Sequence, residues 1–202
     1  MTRVKICGLS REEDIDIVNI ALPDYIGFVF AESSRRIDEN KAAILKKRLD
    51  PQIKAVGVFV NQDIAMIATM FARGIIELVQ LHGDEDEDYI ARLKKSQEMP
   101  IPVIKAIGVE DILPDYPANA DYLLFDTLSE KRGGTGKPFN WHLLDGFSGP
   151  PFFLAGGLNV QNVSEAIKTL KPFCVDASSG VETDGIKDAG KVHEFISIVR
   201  QN

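Results

Sequence analysis

Residues 151–180 read PFFLAGGLNVQNVSEAIKTLKPFCVDASSG. An apolar run, Phe152–Ala155, meets the glycine pair Gly156-Gly157. A stretch of helical periodicity then closes before Pro172, and a second apolar run, Cys174–Ala177, leads into Ser178-Ser179-Gly180. Strand, loop, helix and strand in that order build a parallel pair joined by a crossover helix. The runs are apolar without alternation, as strands buried on both faces must be.

The same unit repeats upstream. Six further β-rich runs stand at Arg3–Cys7, Tyr25–Phe30, Ala55–Val60, Leu78–His82, Val103–Ile107 and Tyr122–Asp126, which makes eight strands in 202 residues. That number predicts an α/β fold, a short single (β/α)8 TIM barrel with residues 1–202 as one domain. An open, doubly wound sheet reuses the same units and is the competing fold. Helix starts are expected at the capping-box spacing Ser10–Glu13, at Asn61 (with Gly74 as the stop), at Asp84, at Asn159 and at Asp188. The gap Glu110–Asp121 carries Pro114 and Pro117, so an irregular segment is expected in place of the fifth helix, with seven regular helices elsewhere.

Composition narrows the function classes. Hydrophobic residues are 45% and charged residues 26%, with a formal net charge of −7. A basic face supplies most nucleic-acid affinity, so no nucleic-acid partner is expected, and an anionic ligand needs a purpose-built local site. The only cysteines, Cys7 and Cys174, form no CxxC pair, which argues against a disulfide framework or a zinc site. With no apolar leader and no membrane-length run, the cytoplasm is the expected compartment and no membrane partner is expected. Oligomeric state is left at monomer or homodimer.

In this barrel chemistry sits at the carboxyl ends of the strands and in the loops that follow. By the two-residue period Lys5 and Cys7 share a face, as do Gln80 and His82, Leu124 and Asp126, and Cys174 and Asp176. If those faces point inward, Cys7, His82, Asp126 and Asp176 crowd one mouth, with Lys105 deeper on the same surface. Taken singly each has a bland role: buried small hydrophobe for cysteine, turn or helix cap for aspartate, satisfied loop residue for histidine. Their repetition at the same point of several units is what favours a site. Gly156, Gly157, Ser178, Ser179 and Gly180, after the seventh and eighth strands, suit a phosphate held by backbone N–H groups. Of Arg35 and Arg36, one can take a substrate carboxylate in bidentate fashion. The polar, glycine-containing segment 127–139 reads as a lid.

Several stretches together resemble one family. Lys5-Ile6-Cys7-Gly8, Ser33-Ser34-Arg35, Gln80-Leu81-His82-Gly83, Phe125-Asp126-Thr127, Gly133-Gly134-Thr135-Gly136-Lys137, Leu154-Ala155-Gly156-Gly157 and Val175-Asp176-Ala177-Ser178-Ser179-Gly180-Val181-Glu182 are similar, in order, to the motifs of phosphoribosylanthranilate isomerases. The resemblance implies an aldose–ketose isomerase of tryptophan synthesis with no cofactor and no metal. It turns N-(5-phosphoribosyl)anthranilate into 1-(2-carboxyphenylamino)-1-deoxyribulose 5-phosphate by an Amadori rearrangement. It implies Cys7 as general base, Asp126 as general acid, Arg35 at the anthranilate, Asp176 at the sugar and the two glycine-containing loops at the phosphate. His82 is a further expected substrate contact. Lys5, on the face of Cys7, is expected to favour the thiolate. The chain departs from the family pattern at Asp184, where proline is common, and at Glu32. Competing functions are a related phosphate-binding barrel, such as indole-glycerol-phosphate synthase or the isomerase of histidine synthesis, and a non-catalytic phosphometabolite-binding barrel.

Overall fold

The computed structural model describes residues 1–127 and 139–202. The expected lid, Leu128–Lys137, therefore lies outside the described residues. Eight strands, β1 (Arg3–Cys7), β2 (Tyr25–Val29), β3 (Lys54–Phe59), β4 (Leu78–Leu81), β5 (Val103–Val109), β6 (Tyr122–Thr127), β7 (Phe152–Leu154) and β8 (Cys174–Ala177), form a closed barrel. Every neighbouring pair is parallel, and β8 closes on β1 with Lys5 level with Asp176. The competing open sheet is excluded.

Two apolar layers hold the barrel. Its inside is filled by side chains such as Tyr25, Val56, Leu78, Ile104, Leu124 and Phe153, and Cys174 is one of this packing set, fully buried. The residues between them point outward into a larger core shared with the helices α1 (Glu12–Ala21), α2 (Glu39–Arg48), α3 (Ile64–Ala72), α4 (Glu87–Lys95), α5 (Val163–Leu170) and α6 (Ala189–Gln201). Among the described residues no helix is long and apolar enough to cross a membrane.

Six α-helices are described, not the expected seven. Glu110–Asp121 holds no helix, as the prolines dictate, and the described part of the connection after β6, residues 139–151, holds only the 3-10 turn Trp141–Leu144. Gly146, Gly149, Pro150 and Pro151 stop any longer helix there, Gly146 standing at φ +73°. Aromatic rings cover this flank instead. Phe147 packs edge-on against Phe125 (5.2 Å between centroids) and Phe152 (5.6 Å), with Tyr116 beside it at 5.8 Å.

Four helix starts differ from expectation by a residue or more. Arg11, not Ser10, caps α1, because the buried Asp14 carboxylate reaches back to the Ser10 and Arg11 N–H groups at 2.9 and 3.0 Å. Asp63 caps α3 and Asp86 caps α4, accepting from Ala65 N–H and Tyr89 N–H at 2.8 Å each. Asn61 sits at φ +49° and accepts from Asp84 N–H, so these two residues join neighbouring loops rather than capping helices. Asn159 forms a turn ahead of α5, which starts after Asn162. Asp188 caps α6 as expected, accepting from Lys191 N–H at 3.0 Å.

After β8 the chain makes a 3-10 turn, Ser179–Val181, and a hairpin of two short strands, β9 (Glu182–Thr183) and β10 (Ile186–Lys187). Its two-residue tip is Asp184 (φ +53°) and Gly185 (φ +77°), the pair of left-handed residues that a tight type I′ hairpin turn needs. Proline, fixed near φ −65°, cannot stand at Asp184 in this geometry.

Candidate active site

The barrel mouth opens into a cavity of about 800 Å³, within the range of small-molecule sites. It is lined by Cys7 from the end of β1, His82 just past β4, Asp126 on β6 and Asp176 on β8. Arg35, from the loop after β2, and the backbone segments at Gly156, Gly157, Ser178, Ser179 and Gly180 complete its wall. The fold thus gathers into one cavity the residues expected from sequence to act on or hold a substrate. Lys105 is the exception among the deeper residues. It lies between Ile104 and Ala106, which fill the barrel, and so points outward; its ammonium binds the Gly83 carbonyl (2.7 Å) and Glu85 (2.9 Å) behind the wall.

Lys5 is fully buried beneath the cavity floor, its ammonium 2.7 Å from Asp176 Oδ2. The other oxygen, Asp176 Oδ1, is buried and has no hydrogen-bond partner among the described residues. A ligand hydroxyl is the natural donor for such an atom. Gln80 Nε2 lies 2.9 Å from His82 Nδ1, and with that amide donating, the ring proton sits on Nε2. His82 Nε2 faces Asp126 Oδ2 at 3.7 Å.

Burial drives the two titrating groups in the same direction. It raises Asp126 to about 6; the Asp176 charge adds to the rise, and the Thr127 N–H and Lys5 oppose it. It also pushes the Cys7 thiol up, and although Lys5 and Lys187 pull the other way, the net shift is upward. The expected direction of the Lys5 effect holds, but it does not decide the net shift. Lys5 acts in that sense, but it is shared with Asp176, and the cost of burying the thiolate is larger.

The raised carboxyl has a stability consequence. A carboxyl whose folded-state pKa exceeds its ordinary 3.8 costs stability as pH rises, beginning near the lower value and complete above about 6. Asp126→Asn removes that cost while keeping the shape. The variant should melt higher than the parent above pH 6, by up to about 2 kcal/mol in stability, with the gap closing toward pH 4. Thermal unfolding of both proteins across that range checks it; a gap that does not depend on pH would assign the gain to packing.

The two loops beyond β7 and β8 touch through their main chains. A Cβ on Gly180 would stand 1.9 Å from the Leu158 carbonyl oxygen, so only glycine allows the approach. Gly156 and Gly157 stand at φ +81° and +72°. The Gly157 carbonyl is tied back by the Asn159 and Asn162 side-chain amides at 3.2 and 3.1 Å. In a trans peptide the following N–H, that of Leu158, points the opposite way. The 3-10 turn starting at Ser179 leaves its first N–H groups without acceptors inside the turn.

A family model described as N-(5'-phosphoribosyl)anthranilate (PRA) isomerase matches residues 4–198. The chain belongs to the phosphoribosylanthranilate isomerase family. It is accordingly an isomerase. It is 53% identical over 201 residues to the N-(5'-phosphoribosyl)anthranilate isomerase of Endomicrobium trichonymphae, with 99% of each chain covered. Among solved structures, the phosphoribosyl anthranilate isomerase of Thermus thermophilus superposes with a TM-score of 0.86 at 31% identity, again over 99% of both chains. A third relative of the family, crystallised with reduced 1-(o-carboxyphenylamino)-1-deoxyribulose 5-phosphate, superposes with a TM-score of 0.82 at 32% identity over 100% of both chains.

Two residues beside the cavity were not singled out from sequence as ionic partners. Glu182 on β9 accepts both Arg35 Nε (2.8 Å) and Arg35 Nη2 (2.6 Å), and Lys187 on β10 pairs with Glu182 from the other side. A glutamate and a lysine flanking an Asp-Gly pair were the available signal.

Proposed function

We propose that this chain carries out the Amadori rearrangement of N-(5-phosphoribosyl)anthranilate in tryptophan synthesis, as one barrel domain, with Asp126 as general acid and Cys7 as general base. The single observation that carries the proposal is the pairing of a partly buried carboxyl raised to about 6 with a thiol, both lining one cavity whose far wall is two glycine loops. Asp126 protonates the ribose ring oxygen as the C1–O bond breaks, leaving a protonated Schiff base. That iminium acidifies the C2–H, Cys7 takes the proton, and the enolamine tautomerises to the ketone. No step calls for a metal or a redox cofactor.

The other residues hold the substrate. The main chain at Gly156, Gly157, Ser178, Ser179 and Gly180 takes the phosphate, by the convergence of N–H groups that favours anions. Arg35 takes the anthranilate carboxylate. Asp176 Oδ1 accepts a sugar hydroxyl, and His82 donates from Nε2 beside Asp126, contacting the substrate near the acid.

Turnover decides between this reading and a binding barrel. Phosphoribosylanthranilate is fluorescent through its anthranilate group, and its fluorescence falls as the rearranged product forms. Purified protein should produce first-order decay of that signal and accumulate the 1-deoxyribulose product. Tight binding of the substrate with no decay would establish a binding protein, and conversion only of other phosphorylated sugars would establish a related isomerase.

A further inference from the structure

Arg35 reaches the cavity on a long arm from a loop, and a guanidinium so placed needs something to aim it. Glu182 holds it by the Nε/Nη2 edge, with both hydrogen bonds at 2.8 Å or less. A guanidinium has five N–H donors on one planar fork. The Glu182 bonds occupy the side edge and leave the Nη1/Nη2 end, whose Nη1 makes no hydrogen bond to the described residues. That end can take a second carboxylate in the plane of the first.

Charge is the difficulty in this arrangement, and Lys187 resolves it. An Arg–Glu pair alone is neutral and would offer an incoming carboxylate little. Lys187, itself only 5% exposed, binds the same Glu182 carboxylate and so leaves the trio with one net positive charge. Burial works against Glu182 ionising, but the hydrogen bonds from Arg35 and Lys187 outweigh it and hold its pKa below the usual carboxylate value. Lys187 also donates to the Ser178 carbonyl at 3.1 Å, in the proposed phosphate loop, and Lys191 from α6 binds the Glu182 carbonyl at 2.7 Å. The Asp184-Gly185 turn sets the register that puts Glu182 level with Lys187. The trio is therefore held from the backbone outward.

We infer that Glu182 and Lys187 are positioning residues for substrate selection: Glu182 aims Arg35 and Lys187 keeps the trio cationic, so that the enzyme prefers an N-aryl ribosyl phosphate bearing an ortho carboxylate. The inference rests on the reading that Arg35 receives that carboxylate. Neither residue touches the reacting atoms. Their loss should raise KM for the carboxylated substrate and leave kcat nearly unchanged, the signature of lost uniform binding.

The test compares two substrates on each protein, N-(5-phosphoribosyl)anthranilate and N-(5-phosphoribosyl)aniline, which lacks the carboxylate. The ratio of their kcat/KM values on one preparation does not depend on how much of it is folded. Glu182→Gln should lower that ratio roughly 10- to 100-fold, the range for a pair of charge-assisted hydrogen bonds, with the aniline substrate changed little. Arg35→Met should collapse the ratio at least as far. If Arg35→Met collapses it and Glu182→Gln leaves it at the parent value, the positioning role is overturned while the Arg35 reading stands. If neither moves it, the Arg35 reading fails and takes the inference with it. Equal losses on both substrates in Glu182→Gln would make Glu182 purely structural. Should Glu182→Gln not fold, Glu182→Asp keeps the charge on a shorter arm; an intermediate ratio supports the inference, and a parental ratio overturns it.

Discussion

Cys7→Ser is expected to lower kcat by about 10²–10⁴-fold, the usual worth of a positioned acid or base, while binding of a reduced product analogue changes little. Serine keeps the shape but has no accessible anion near neutrality. Asp126→Asn should cost a similar factor, since an amide cannot give a proton to the ring oxygen. The pH profile adds a second demand. With Asp126 at about 6 and Cys7 displaced above its ordinary 9.0, the resting form between those values is thiol plus carboxylate. The working form, thiolate plus carboxylic acid, holds the same number of protons and is a minority. The kcat/KM profile should therefore be bell-shaped, with its acid limb near pH 6 belonging to the acid rather than the base. Asp126→Asn should erase that limb. A Cys7→Ser protein that is folded and retains near-parental kcat would show that Cys7 only packs.

Gly180→Ala is the second large expected loss. The added methyl would meet the Leu158 carbonyl oxygen at 1.9 Å and its carbon at 2.9 Å, both main-chain atoms that cannot rotate aside. The loops after β7 and β8 must separate, and the N–H groups proposed to converge on one phosphate should no longer do so. A displacement near 1 Å in such a cradle costs about 10²-fold, here expected in KM, with competitive inhibition by inorganic phosphate weakened in parallel. Gly157→Val should act in the same direction, because valine resists φ +72°. Unchanged KM and unchanged phosphate inhibition in both variants would put the phosphate elsewhere.

The strands were legible because short apolar runs bounded by turns leave little else to be, and each observed strand falls within a residue or two of its run. The cavity residues were legible because polar side chains interrupt those runs at corresponding points. Lys105 was misplaced for the converse reason. In VIKAIGV nearly every neighbour is apolar, so alternation says nothing about which face is inside, and only closure of the barrel decides. Cap positions slipped where two candidates stand close together, Asn61 with Asp63 and Asp84 with Asp86, since loop geometry selects between them. The upward shift of Cys7 depends on how deeply closure buries it, and the partnership of Glu182 with Arg35 spans 147 residues. Neither is a local property of the chain.

The aromatic cover behind β6 and β7 has a consequence for how tolerant the enzyme is of change. A helix laid on a barrel spreads its contacts along a stripe, so that loss of one side chain leaves the others in place. Behind β6 and β7, among the described residues, much of that duty converges on Phe147, which meets Phe125, Phe152 and Tyr116. Contacts that converge on one ring are lost together when that ring is lost. Phe125 is also the residue next to Asp126, on the opposite face of the same strand. The strand that carries Asp126 is thus backed in part by a side chain on the face away from the cavity. Drift in sequence at Phe147 would therefore reach the surroundings of Asp126 through its own strand.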